Sequence, residues 1–424
     1  MTPALAEAVK NINIAVVGNH NELSLEDTMS ISIPLAKGFK LGTAVAGFKR
    51  SGKPDLSLAV SETPAVAAGV FTTNLFKAAP VLVGMEQLKN SNLMQAILIN
   101  TGQANACTGD EGLSNCHKTI SMVSEAINIA SSAILPASTG VIGDQLKMDL
   151  WEKAVPSLVK NLGSASVEDM ASAMMTTDAF PKYAAGVCEV NGVEVTVTGM
   201  AKGAGMICPN MATMLSLILC DAEVAPEDWQ AMFERTVAKT FNRATVDGDT
   251  STNDTVYGLA NGASGAKVSG EDLEIVEAVL EDVLAELAYK LVEDGEGATK
   301  VIHIAVKGAR NDADAEQAAR AVGHSPLVKT AMFGKDANWG RIVAALGRAG
   351  VDFTPEDVRV TLCGVELFKN GQPTSVDFDK LLKEPLEERD IYVDILLGKG
   401  EGAYTLLASD LTHDYIAINA DYRS

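Results

Sequence analysis

The order of apolar patterns along the chain limits its architecture more than any other feature. Strand-like runs come in clusters and do not alternate one for one with helices, which favours α+β layers over a doubly wound parallel sheet. Residues 42–50, 55–62 and 65–74 read as strands, and AAPVLVGM (78–85) and AILINTG (96–102) as further buried strands. Residues 113–131, 148–162 and 167–175 are helical in composition, with loops expected over 103–112 and over LPASTGVIGD (135–144). The alternation over 188–199 predicts a hairpin that turns at Asn191-Gly192. After an apolar strand at 214–220, Trp229, Met232, Phe233, Val237 and Phe241 mark one face of a helix. A longer helix opens at Ser269 and closes at Gly295. Residues 301–308 form a strand, 312–322 and 325–333 helices, and roughly the last seventy residues, including YIAINADYR (415–423), read as mostly β.

Length and charge narrow the function classes. A chain of 424 residues holds two or three domains or lobes. The formal net charge of −21 repels nucleic acid and anionic membrane surfaces alike. No apolar run is long enough to cross a bilayer, and the N-terminal residues lack the pattern of a secretory signal, so a soluble, cytoplasmic protein is expected. The six cysteines form no CxxC pair and the five histidines no HxxxH, so neither a disulfide framework nor a metal site is expected, and no cofactor.

The segment with most chemical content runs from Lys202 to Thr213, KGAGMICPNMAT, directly ahead of the 214–220 strand. Its glycines match neither a Walker loop nor GxGxxG. A threonine inside a chain is a poor nucleophile, but one freed at its amino terminus carries its own base, which makes Ala212-Thr213 the bond to watch. Self-cleavage needs donors for an oxyanion, and the small-residue stretch Ser138-Thr139-Gly140 can supply them. TVDGDTSTND (245–254) is dense in polar side chains but lacks EF-hand spacing, and reads as a hydrogen-bonded turn near the active site. Trp339 and Arg341 in DANWGR receive no role.

MAKGAGMICPNMATMLSLILCDA resembles the processing segment of the ornithine acetyltransferase family. LGTAVAGFK, AGVFTTN, NTGQANACTG, STGVIG, TTDAFPK, TVDGDTSTND, DGEGATK, AMFGKDANWGR and INADYRS are similar to further motifs of that family, in order, from about Ile31 to Ser424. The resemblance implies an α+β fold of two stacked β-sheets between helical layers (DmpA/ornithine-acetyltransferase-like), with a smaller C-terminal α/β lobe from about residue 300. It implies an N-terminal extension over 1–30, an α chain over 31–212 and a β chain over 213–424, joined as an α2β2 heterotetramer. Cleavage before Thr213 would free the nucleophile, which takes acetyl from N2-acetylornithine and passes it to glutamate. Thr139 and Gly140 carry over as the oxyanion hole, and Thr177, Lys202, Thr213, Glu296, Asn419 and Ser424 as substrate contacts. Thr176 competes with Thr177 for its place. Some family members also accept acetyl-CoA as donor, and no motif here decides that. Two rivals follow from the same residues: a threonine-nucleophile aminopeptidase or amidase in which water resolves the acyl-enzyme, and an uncleaved binding protein. Cys208 stands where another residue is usual in the family, close to the nucleophile in sequence.

Overall fold

A computed structural model describes residues 13–15, 33–208 and 214–421. The proposed extension 1–30 lies almost wholly outside these, as do Ala212, Thr213 and Ser424. In chain order the body contains β1 (Asn13–Ala15), β2 (Phe39–Ala44), β3 (Leu56–Phe71), α1 (Ala79–Asn90), β4 (Leu93–Gln103), α2 (Gly109–Ile127), β5 (Ile134–Val141), α3 (Met148–Lys160), α4 (Val167–Met174), β6 (Lys182–Val190), β7 (Val193–Lys202) and β8 (Leu215–Cys220). It continues with β9 (Glu223–Val224), α5 (Pro226–Lys239), β10 (Ala244–Thr245), β11 (Thr255–Ala260), β12 (Lys267–Val268) and α6 (Asp272–Glu293). The C-terminal lobe follows: β13 (Val301–Ala309), α7 (Asp312–Gly323), α8 (Pro326–Phe333), α9 (Trp339–Gly347), β14 (Arg359–Leu362), β15 (Val365–Lys369), β16 (Gln372–Pro373), α10 (Phe378–Leu382), β17 (Asp390–Leu396), β18 (Gly402–Ser409) and α11 (His413–Asp421).

The body is built on one hydrogen-bonded sheet in the order β1-β6-β7-β8-β11-β3-β4-β5, with β2 added beside β3. Strand β3 is the pivot. Its first part pairs with β2 and β4, and its second part, Val66 to Phe71, pairs with β11. Residues 55–62 and 65–74 are therefore one strand and not two. The register slips between Val60 and Ala65, where Glu62, Thr63 and Pro64 are exposed, so the proline removes no needed ladder bond.

The two parts of this sheet face each other across a shared core. Leu41, Ala59, Ile97 and Leu135 belong to one side, Met200, Leu215, Leu217 and Leu259 to the other, and α4 inserts Met170 and Met174. Helices α5 and α6 cover the outer face of β6, β7, β8 and β11, with Ile218 and Val256 against Phe233 and Leu284. Helices α1, α2 and α3 cover the other outer face, Val83, Ile120 and Trp151 packing with Leu58 and Leu98. Two stacked sheets between helical layers are thus the architecture, each strand alternating between an inner and an outer core.

The lobe has its own sheet, ordered β10-β18-β13-β17-β14-β15-β16. Helices α7, α8 and α9 bury one face of it around Ile304, Val322 and Val393. Helix α6 joins both units: besides the body, it packs Tyr289 and Val292 against Ala244, Val301 and Leu407.

The strand expected over 42–50 ends at Ala44, and three further elements differ from expectation. AAPVLVGM opens helix α1, because Pro80 sits in the first turn, where no N–H is required. LPASTGVIGD supplies strand β5; it is the last strand of its sheet, and an edge tolerates Pro136. The described part of YIAINADYR, residues 415–421, lies in helix α11, entered through Thr412, whose Oγ1 accepts the Tyr415 N–H at 3.4 Å. The hairpin at Asn191-Gly192 forms as read, with φ of 53° and 80°.

Candidate functional site

Parallel pairing of β4 with β5 sets Thr101 beside Thr139 and Gly102 beside Gly140. Gly140 has φ 130°, and a Cβ there would stand 2.3 Å from the Gly102 carbonyl carbon, so only glycine lets the two strands run this close. The buried Asn253 ties the same corner: its Nδ2 donates to Ala104 O at 2.6 Å and to Ser138 O at 2.8 Å. The Ser138 carbonyl belongs to the peptide that carries the Thr139 N–H, so Asn253 fixes that donor's direction.

Lys202 ends β7 and is 6 % exposed. Its Nζ lies 3.4 Å from Thr139 Oγ1. Burial lowers its pKa from the ordinary lysine value; Asp178, Asp254 and Glu296 oppose that shift and Lys182 adds to it. Glu296 follows α6. Its N–H donates to Ala204 O at 2.9 Å, and its carboxylate lies against Gly205, where a Cβ would come within 2.3 Å of Oε2. Asn419 on α11 donates from Nδ2 to Glu296 Oε2 at 2.7 Å.

One cavity is lined by Thr139, Gly140, Thr177, Lys202, Glu296 and Asn419, residues from five separate stretches of chain. Thr176 lines it as well, its N–H held by Asp178 Oδ2 at 2.8 Å, so both threonines stand at the wall. Sequence reasoning missed Ala104, Ile142, Ser251 and Asn253, which also line it. Ser251 and Asn253 lie in the polar run 245–254, and that density of Asp, Asn and Thr was the available signal. Thr213 and Ser424 fall outside the described residues. Met206, shortly ahead of residues 209–213, lines the cavity. Beyond them, Met214 O accepts the Thr255 N–H at 3.0 Å, and the Met214 N–H donates to the buried Asp254. Burial drives the Asp254 carboxyl well above its ordinary value, against the pull of Lys202.

A second buried lysine lies behind the cavity. Lys182 Nζ meets Asp178 Oδ1 at 2.7 Å and Asp294 Oδ2 at 2.5 Å, all three side chains being withdrawn from solvent. Burial alone would raise the Asp178 pKa, but Lys182 and Lys202 hold it below the ordinary carboxylate range. Asp178 Oδ1 also accepts the Gly203 N–H at 2.6 Å, anchoring the start of the glycine segment. Cys208 is buried, its Sγ 3.5 Å from His324 Nε2, and burial pushes its thiol pKa up. Among the described residues no cluster of three or more His, Cys, Asp or Glu side chains could hold a metal, and no helix is long and apolar enough to cross a membrane.

A buried lysine, a glycine-shaped strand corner and a carboxylate converge on one cavity of the layered α+β body, the kind of polar, concave site that a small-molecule enzyme uses. The family model described as the ArgJ family matches residues 40–424. The "Arginine biosynthesis bifunctional protein ArgJ" of Nitratidesulfovibrio vulgaris is 63% identical over 388 residues, covering 92% of this chain and 99% of that protein. Its namesake from Geobacter sulfurreducens is 46% identical over 391 residues, covering 92% and 99%. Among solved structures, the bifunctional protein argJ of Bacillus halodurans is 37% identical with a TM-score of 0.48, covering 50% of this chain and 100% of that one. Ornithine acetyltransferase from Mycobacterium tuberculosis, solved with ornithine, is 39% identical with a TM-score of 0.40, covering 42% and 95%. The chain belongs to the ArgJ family, the ornithine acetyltransferases of arginine biosynthesis.

Proposed function

We propose that this enzyme cuts its own chain before Thr213 and then moves acetyl from N2-acetylornithine to glutamate through an acetyl-threonine intermediate. The observation that carries the reading is the convergence of Thr139, Gly140, Lys202 and Glu296 on one cavity, which Gly205 and Met206 of the processing segment also line. In self-cleavage the Thr213 hydroxyl oxygen adds to the Ala212 carbonyl carbon. The C–N bond breaks, and water hydrolyses the resulting ester, leaving a carboxylate on Ala212 and a free amine on Thr213.

In turnover that amine takes the hydroxyl proton as the oxygen attacks the acetyl carbonyl. Thr139 and Gly140 are assigned to the oxyanion, supported by the backbone pinned between Gly102 and Asn253. Collapse breaks the bond to ornithine, whose amine leaves with the proton. The glutamate amine then attacks the ester and regenerates the hydroxyl. Lys202 suits the α-carboxylate that both substrates share, and Glu296 the distal ammonium of ornithine. Thr177 and Asn419 complete the contacts assigned here, Thr176 remaining the rival of Thr177, and Ser424 is assigned a contact from the family motif alone. No cofactor is assigned. Acetyl-CoA is assigned as a second donor, in keeping with the bifunctional names of the relatives, and the two pieces as an α2β2 assembly in the cytoplasm.

Intact-mass measurement tests the cut: two pieces, the second beginning at Thr213, are expected, and Thr213→Ala should stay whole and lose activity by about ten-thousand-fold or more. An uncut chain that still turns over overturns the nucleophile. Consumption of acetylornithine at the same rate with and without glutamate would assign hydrolysis in place of transfer. Offering acetyl-CoA and acetylornithine separately to glutamate decides the donor range.

A further inference from the structure

A second cavity lies between α6 and the face of the lobe sheet that α7, α8 and α9 leave uncovered, lined by residues with no part in the site above. Pairing along the sheet puts Thr405, Ala305 and Asp394 in one row across β18, β13 and β17. At about 4.8 Å per strand the two ends of that row are roughly 10 Å apart. Ala305 in the middle leaves a trough, and Ala285 and Ala288 on α6 keep its opposite side shallow.

The two ends carry opposite charges. At one, Arg243 donates from Nη1 to Thr405 Oγ1 at 3.0 Å and lies over the Tyr404 ring at 4.8 Å, so its guanidinium is held in place. Its Nε is buried and has no hydrogen-bond partner among the described residues. At the other end stands Asp394, which lines the cavity and is exposed. The other polar side chains at the rim have partners: Lys239 pairs with Glu281 at 2.7 Å, and His303 Nε2 lies 2.6 Å from Asp390 Oδ1. His303 also stacks on Tyr392 with ring centres 4.6 Å apart, giving the trough a flat aromatic wall.

We propose that this trough binds a small molecule with a carboxylate at one end of a short methylene chain and a cation at the other, the carboxylate on Arg243 and the cation on Asp394. A guanidinium that lines a cavity takes a carboxylate, and a carboxylate without a hydrogen-bond partner among the described residues takes an ammonium. Two such hydrogen bonds use part of the span, and a short methylene chain over Ala305 fills the rest.

The test is calorimetric titration of the full protein with L-lysine. Saturable binding is expected, weakened about ten- to a hundred-fold by Asp394→Asn and by Arg243→Gln. Ala305→Leu, which fills the trough and leaves both charges, should abolish it. L-Norleucine, lacking the cation, and 1,5-diaminopentane, lacking the carboxylate, should bind at least about ten-fold more weakly. Binding must persist in Glu296→Gln and in Thr213→Ala, so the outcome is independent of the catalytic reading. Absence of saturable binding overturns the proposal. So does binding that survives both Asp394→Asn and Ala305→Leu, or that disappears in Glu296→Gln.

Discussion

Lys182 and Lys202 sit close together at the open end of the hairpin formed by β6 and β7, both hidden from solvent, in opposite electrostatic settings. Lys182 is closed between two carboxylates at hydrogen-bond distance. Lys202, on the cavity wall, has among the described residues only a 3.4 Å contact with Thr139 Oγ1. A buried ammonium with its partners built in is part of the scaffold. One without them is prepared for a partner that arrives, and the anions around it are set back. The scaffold also feeds the site: Asp178, which neutralises Lys182, holds the N–H groups of Thr176 and Gly203.

The contrast breaks if the two lysines respond alike to replacement. Lys182→Met should destabilise the fold by about 3–5 kcal/mol, since it leaves two buried carboxylates uncompensated; denaturant titration reads it. Lys202→Met should leave that stability within about 1 kcal/mol and lower kcat/KM about a hundred- to a thousand-fold, the scale for losing one positioned charge donor. A Lys202 variant as unstable as the Lys182 variant would place both in the scaffold. Asn419→Ala removes one hydrogen bond to Glu296 from an exposed helix, and a rise in the KM for acetylornithine of about five-fold is expected, with kcat nearly unchanged.

The smallest signal is a slope. Lys329, a third buried lysine, donates to Val246 O at 2.7 Å and to Ser409, and burial lowers its pKa from 10.5 to about 8. Between about pH 8 and pH 10.5 the unfolded chain then holds the extra proton and the folded chain does not, so this residue's contribution to stability rises with pH across that window. Compared with Lys329→Met, the native protein should gain relative stability over that range; parallel pH profiles would show that Lys329 is not neutralised in the fold.

The legible parts of the fold were those with an unambiguous period. Helix α6 shows Val276, Leu280, Leu284, Leu287 and Leu291 at helical spacing, and the hairpin announces its turn with Asn-Gly. The short apolar run at 78–85 carries no such period, and only its Pro80 pointed to a helix start. Strand β5 was hidden because Pro136 and Gly140 look like loop residues until the strand is known to be an edge. At the site, Lys202, Glu296 and Asn419 were found through motif likeness, not through their own chemistry, since nothing local marks a glutamate as the buried neighbour of a glycine over ninety positions away. Asn253 and the partnership of Lys182 with Asp294 stayed out of reach, because the first depends on how distant strands pair and the second on how helix α6 packs over β6.

Strand β3 acts as a shared beam. One continuous backbone belongs to both stacked sheets, and Ala59, Ala65 and Ala67 are its side chains in the core between them. Where β3 passes from one sheet to the other, these three put only methyl groups into the gap, which larger side chains such as Leu41, Ile97 and Met200 otherwise fill. A bulkier residue at any of them would act as a wedge, spreading the layers together with the walls they carry.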